Sequence, residues 1–203
     1  MKKRSLVNIA GIALVVLGFY GWLGGFVRYP WFTSSYEIPL GDAEGIAIDS
    51  TGNLYCGSQF YHCIVKYDSA GKFISTIWID CSGGSFCFRI TGDKLEVATA
   101  RGDHNYILSL DGDMLKNDDG GPGYEALANR GSKHCESADG TVYELSSSYW
   151  FPVVAKISGT GDRQIVISQT LWQWLTMGPF PAWIIIACGG IIQAVSGRKK
   201  IKE

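Results

Sequence analysis

Twenty-two consecutive residues, Leu6 to Val27 ("LVNIAGIALVVLGFYGWLGGFV"), carry no charge. As an α-helix rising 1.5 Å per residue, such a run crosses a hydrocarbon core, which asks for about 20 apolar residues. Tyr20, Trp22, Tyr29 and Trp31 cluster where that helix would leave the bilayer, as interfacial aromatics do. A cleaved signal peptide has a shorter apolar region, about 7–15 residues, followed by a small-residue cleavage site. Neither fits this run, so it reads as an uncleaved anchor. A second apolar stretch, "QTLWQWLTMGPFPAWIIIACGGIIQAVSGRKK", lies at the other end. Proline suits the first turn of a helix and disrupts its interior. Pro179 and Pro181 therefore predict a second membrane helix from near Phe180 to near Ser196, about 17 residues and the lower limit for a span. Leu171–Met177 holds two tryptophans and is expected to lie in the interface.

The charges divide in the same way. Lys2, Lys3 and Arg4 precede the first run, and Arg198, Lys199, Lys200 and Lys202 follow the second. The positive-inside rule places both termini in the cytoplasm and the middle of the chain outside the cell membrane. That middle holds 11 basic against 18 acidic residues, a net charge of −7. Its field repels nucleic-acid phosphates and anionic lipid, which argues against both as its partners. The expected organisation is residues 1–28 for the basic tip and first helix, 29–170 for an extracytoplasmic domain, and 171–203 for the interfacial segment, second helix and basic tail.

The middle reads as β-structure in three repeats, at about 36–80, 81–118 and 134–168. In each, an apolar strand meets a turn ("DSTGN", "TGD", "ADG") and a β-rich strand follows ("LYCGS", "KLEVATA", "TVYELSS"). A third strand comes next ("IVKYD", "ILSLD", "VVAKIS"), then another turn and a last strand. Glycine and aspartate supply the turn conformations, and the runs between them are rich in Val, Ile, Tyr and Phe. Leu54 to Leu95 is 41 residues and Leu95 to Val142 is 47. Four-stranded propeller blades repeat every 40–50 residues or so. The polar stretch Lys116 to Lys133 is a loop with a helical turn expected at Tyr124–Asn129.

The pattern "EGIAID…GNLYCGS…YHCIVKYD…GKF" of the first repeat resembles a blade of the NHL-repeat and gluconolactonase-like six-bladed β-propeller superfamily. His62 and Ile64 match the NHL signature, while Tyr61 and Cys63 depart from it. The second and third repeats share the layout and few of the residues. The resemblance implies a mainly β fold: a partial propeller of about three blades, or a stacked-sheet domain, flanked by two transmembrane helices. Three blades close no ring and leave sheet edges bare. A homodimer or another protein partner would cover them. The resemblance to gluconolactonases also implies a metal role for Glu44 in "GDAEGIAID", with Ca²⁺ as the ion. A single carboxylate is far short of the six or more oxygens Ca²⁺ takes.

Other candidates come from the residues themselves. Phe60, Tyr61, Tyr149, Trp150 and Phe151 occupy the same hairpin loop in repeats one and three, and aromatic anchors are typical of binding hot spots. Outside the cytosol disulfides form. Cys56 and Cys63 fall on consecutive strands and Cys81 and Cys87 bracket "SGGSF", so each pair is a disulfide candidate or two buried thiols, with Cys135 left over and Cys188 in the second helix. No C-x-x-C, H-E-x-x-H, G-x-S-x-G or phosphate-binding glycine loop is present. Arg101–Asp103 spells RGD in a variable hairpin loop. His134 and Cys135 are neighbours on a strand and so point to opposite faces, which rules them out as a dyad. The expected function is therefore that of a membrane-anchored extracytoplasmic binding or interaction protein. The alternatives are a Ca²⁺-dependent hydrolase or lactonase, and a structural subunit of a membrane complex.

Overall fold

The computed structural model describes residues 2–23, 33–41, 43–101, 104–117, 123, 124, 127, 133–146, 152–177 and 179–198. The chain forms two compact units, Arg28–Gln169 and the two chain ends, Met1–Val27 with Thr170–Glu203.

The end unit contains α1 (Lys2–Leu23), α2 (Leu171–Met177) and α3 (Pro179–Arg198). Thr170 starts α2 through a reciprocal cap. Its Oγ1 accepts from the Gln173 amide at 3.1 Å, and its own amide donates to Gln173 Oε1 at 2.9 Å. α3 begins at Pro179, in keeping with proline at a first turn. α1 and α3 pack against each other in opposite directions. Gly11 meets Gly189 and Ile192, and Gly18 meets Ala182 and Ile186. The small residues recur at a seven-residue spacing on both helices, so the backbones approach so closely that a Cβ on Gly11, Gly18 or Gly189 would stand within 2.7 Å of an atom of the facing helix. Gln193 Nε2 donates to the Asn8 carbonyl at 2.6 Å, and Trp22 meets Trp183 edge-on at 5.3 Å. The large apolar side chains point outward: Leu6, Ile9, Val16, Phe19, Ile184 and Ile191 are all exposed. Of the two long helices, α1 is long and apolar enough to cross a membrane over Leu6–Leu23. The apolar part of α3, Phe180–Ser196, is shorter, and a second crossing is not shown.

The other unit contains three four-stranded antiparallel sheets resembling propeller blades, each with its strands in chain order. The first holds β1 (Ala43–Ile48), β2 (Leu54–Ser58), β3 (Cys63–Tyr67) and β4 (Phe73–Trp78). The second holds β5 (Phe86–Thr91), β6 (Lys94–Thr99), β7 (Asn105–Ser109) and β8 (Met114–Asn117). The third holds β9 (His134–Glu136), β10 (Val142–Ser146), β11 (Val153–Ile157) and β12 (Arg163–Ser168).

One turn builds five of the hairpins. It occupies Asp49–Asn53, Asp68–Lys72, Ser109–Asp113, Ser137–Thr141 and Ser158–Asp162. In each, the amide of the fourth residue donates to the carbonyl of the first, and the amide of the first donates to the carbonyl of the fifth, at 2.8–3.0 Å. The fourth residue is always glycine, with φ between +77° and +95°. A side chain with a Cβ is strained there, so glycine defines the turn. The first residue is always Asp or Ser, whose oxygen serves the turn: Asp49 Oδ1 accepts from the amides of Thr51 and Asn53 at 2.9 Å. Another hairpin, β5–β6, uses the two-residue link Gly92–Asp93 between Thr91 and Lys94.

The first sheet is the middle layer. Its β1 packs against β5 of the second sheet and against β9 and β10 of the third. Strands β2 and β3 are buried at every position, as a sheet covered on both faces must be. Tyr55, Ile64 and Ile77 face the second sheet and share a core with Phe86, Phe88, Leu95, Val97 and Leu108. The close fit depends on Gly57, where a Cβ would stand 2.6 Å from the Phe88 ring and 2.9 Å from the Glu44 carbonyl. The opposite face, with Leu54, Cys56, Cys63, Val65 and Tyr67, is buried as well. Along the outer edge, Ser34 and Tyr36 cover β4: the Thr76 amide donates to Ser34 O at 2.7 Å and its hydroxyl to Tyr36 O at 2.6 Å.

Candidate functional site

Two polar latches tie the first sheet to the second. Gln59 grips the backbone of Phe86 with both ends of its amide: Nε2 donates to Phe86 O at 2.8 Å, and Oε1 accepts from Phe86 N at 3.0 Å. At the far end Lys66 Nζ donates to Leu110 O at 3.1 Å and to Asp111 Oδ1 at 2.8 Å, lying 5.5 Å from the Tyr55 ring centre. The Tyr55 hydroxyl sits 3.1 Å from Asp49 Oδ2 and 3.2 Å from Leu110 O. Burial and the Asp49 carboxylate push this phenol far up, so it stays protonated. Burial raises the Asp49 carboxyl, but hydrogen bonds from Thr51, Asn53 and Tyr55 outweigh it and hold the group below its ordinary value.

Between the outer strands of these sheets lies a cleft of about 400 Å³, within the size range of small-molecule sites. Trp78, Ile79 and Asp80 at the end of β4 form one side; His104, Tyr106, Leu108, Met114 and Asn117 form the other. Ile79 and Leu108 are buried and give the floor an apolar character. The Tyr106 hydroxyl donates to Asp80 O at 2.9 Å and bridges the two sides, while its ring stacks on His104 with centroids 6.1 Å apart. Among the described residues of the lining, Asp80 carries the one carboxylate, and it is exposed. The nearby His62 imidazole is held below its ordinary value by burial, against the pull of Asp80.

The sequence candidates land in different places. Glu44 is exposed on β1, where the register with β2 shifts between Ala43 and Ile46. Among the described residues no three His, Cys, Asp or Glu side chains converge as a metal site, with Glu44 or elsewhere. Phe60 and Tyr61 touch edge-on at 5.1 Å, but Tyr61 is 3% exposed and sits in the core. Phe60 beside it is half-buried. Tyr149, Trp150 and Phe151 lie outside the described residues, as do Gly102 and Asp103 of the RGD triplet and most of the helical turn expected at Tyr124–Asn129.

Cys56, Cys63, Cys81 and Cys87 are buried and Cys135 is half-buried, and no disulfide joins any of these five in the structure. Cys63 stands opposite Ser58, and Cys56 opposite Val65. The two cysteines are diagonal neighbours rather than a directly opposed pair, and diagonal positions lie about 7–8 Å apart, beyond the usual Cα separation of a disulfide. Cys81 packs with Phe86 and Phe88, whereas Cys87 leaves the other face of β5 to join Ala98 and Leu127. The Cys87 thiol donates to Tyr124 O at 3.3 Å. Sequence reasoning missed the cleft, because its two sides come from strands of different repeats. Asp80 and Met114 were the signal available, an exposed acid and an exposed apolar residue flanking strands whose partners were unknown.

No protein-family model matches the chain, and no curated protein does. Among solved structures, the chain is similar to hydrazine synthase of Kuenenia stuttgartiensis, at 16% identity, covering 68% of this chain and 38% of that one, with a TM-score of 0.35. It is similar to virginiamycin B lyase from Staphylococcus aureus at 13% identity, 66% and 43% coverage and a TM-score of 0.34. A chain of a nidogen–laminin complex gives 17%, 64% and 49%, and 0.31. The chain spans less than half the length of each.

Proposed function

We propose that the chain is a two-pass membrane protein that displays its three-sheet unit outside the cell as a binding module. The observation that carries the binding role is the cleft between the first and second sheets, with an apolar floor, a His104–Tyr106 stack and the Asp80 carboxylate at its mouth. That lining suits a small molecule joining an apolar body to a cationic group, which aromatic faces and Asp80 would hold together. The net charge of −7 on the middle of the chain favours the same sign of ligand. The anchoring role is supported by the α1–α3 pair. Small residues fill its seam and large apolar side chains face outward, the arrangement of helices whose solvent is lipid.

The test uses the full chain in detergent micelles and two near-isosteric probes, 2-phenylethylamine and 2-phenylethanol. The amine is expected to bind saturably and the alcohol severalfold more weakly, with Asp80→Asn erasing the difference. Equal binding of both probes, or of neither, refutes the cleft reading. Protease added to intact cells should digest the β-unit while tags on both termini survive; loss of either tag refutes the two-pass arrangement.

A further inference from the structure

We propose that Cys56 and Cys135 form a disulfide that staples the first sheet to the third. The two residues are far apart in the chain and belong to different repeats, and nothing in their spacing couples them. The fold does. Side chains alternate along β2, so Cys56 leaves the face opposite Tyr55, and Tyr55 belongs to the core shared with the second sheet. Cys56 therefore points away from that sheet. It stands opposite Ile46 of β1, and β1 packs against β9 and β10.

On the third sheet, Cys135 of β9 stands opposite Tyr143. Alternation puts Tyr143 and Leu145 on one face, and the pairing Leu145–Val154–Ile167 carries that face across to β12. Ile167 Cγ1 lies 3.2 Å from where a Cβ on Gly71 would be, and Gly71 belongs to the β3–β4 turn. This face of the third sheet thus looks onto the first. Both side chains enter the interface between the first and third sheets. Cys63 shares the face of Cys56 but is tied diagonally to it within one sheet. Cys135 is the partner that a facing sheet supplies.

The chemistry is thiol–disulfide exchange with an oxidised dithiol carrier, the class of oxidant found outside the cytosol. Cys135 is partly exposed on a three-residue strand, whereas Cys56 is 1% exposed. The Cys135 thiolate attacks one sulfur of the carrier disulfide, forming a mixed disulfide and releasing one carrier thiolate. The Cys56 thiolate then attacks the Cys135 sulfur and displaces the carrier's second sulfur. Two protons leave the cysteines and two carrier thiols appear, so the carrier is reduced as the pair is oxidised. Burial pushes the Cys135 thiol up to about 12 and Cys56 higher still, which makes closure slow once the sheets are packed.

The inference rests on the extracytoplasmic placement proposed above, and two arms separate them. In the first, the purified full chain in detergent is incubated with oxidised glutathione and mapped by mass spectrometry without reduction. A cross-linked Cys56–Cys135 peptide is expected in the native chain and in Cys63→Ala, absent from Cys56→Ala and Cys135→Ala. Oxidation should raise the thermal midpoint of the native chain and of Cys63→Ala, leave Cys56→Ala and Cys135→Ala unchanged, and be reversed by a phosphine reductant. No cross-link, or a dominant Cys56–Cys63 link, overturns the staple. In the second arm, cells are alkylated before lysis. The linkage is expected there too; a chain that cross-links when purified but arrives from cells fully reduced overturns the extracytoplasmic placement and leaves the geometry standing.

Discussion

Lys66 offers a sharp test of what holds the first two sheets together. Its side chain is 8% exposed, while its partner Asp111 is 81% exposed. Replacing Lys66 by methionine keeps an apolar stem of similar length and removes the ammonium. An ion pair to a carboxylate so open to water is worth about 0–1 kcal/mol. The charged hydrogen bond to Leu110 O is worth about 1.5–3 kcal/mol, but burying the ammonium costs several kcal/mol, which the substitution returns. Asp111 goes back to water, and the Tyr55 hydroxyl remains 3.2 Å from Leu110 O. Lys66→Met should therefore change stability by no more than about 1 kcal/mol in either direction. Lys66→Ala loses the stem, roughly three methylenes at about 0.8 kcal/mol each plus a cavity, so its cost should be about 3 kcal/mol. Urea unfolding of the full chain in detergent, followed by near-ultraviolet circular dichroism, reads both. If methionine is as damaging as alanine, the ammonium rather than the buried stem secures the interface, and the reasoning is wrong.

Gly57→Ala forces a methyl group against Phe88 and the Glu44 carbonyl, and should cost about 1–3 kcal/mol in the same titration, with Phe88→Leu restoring part of it. Asp49 has a folded value held below its unfolded one. Its contribution is present above the unfolded value, near pH 3.8, and disappears as pH falls through the folded value. Asp49→Asn should flatten that part of the acid-unfolding curve and leave the neutral-to-alkaline part parallel to the native one. In the end unit, Gly189→Leu should part α1 from α3 and abolish the exciton signal of the Trp22–Trp183 pair. Gln193→Leu should be far milder, since hydrogen bonds between membrane helices average about 0.6 kcal/mol.

The sequence by itself determined the local structure. Five copies of a turn that needs glycine at one φ > 0 position, each bounded by β-branched and aromatic runs, leave the chain few choices other than hairpins, and Gly92–Asp93 between Thr91 and Lys94 makes a further one. Two uncharged runs rich in Leu, Ile and Val have no counterpart in such hairpins and become helices. Local rules reach this far because a turn or a helix is decided by residues a few positions apart.

What covers each face of a sheet is a different kind of question. Alternation tells that Cys56 and Tyr55 point in opposite directions, but both rows of β2 are apolar, and the pattern is silent about which sheet each row meets. Only the tertiary structure put the first sheet in the middle. With that, Tyr61 sank into the core, Cys56 came to point away from the second sheet, and Asp80 and Met114 became opposite sides of one cleft. These outcomes depend on close contacts such as Phe88 over Gly57 and Ile167 against Gly71, made between residues tens of positions apart whose meeting no local preference encodes.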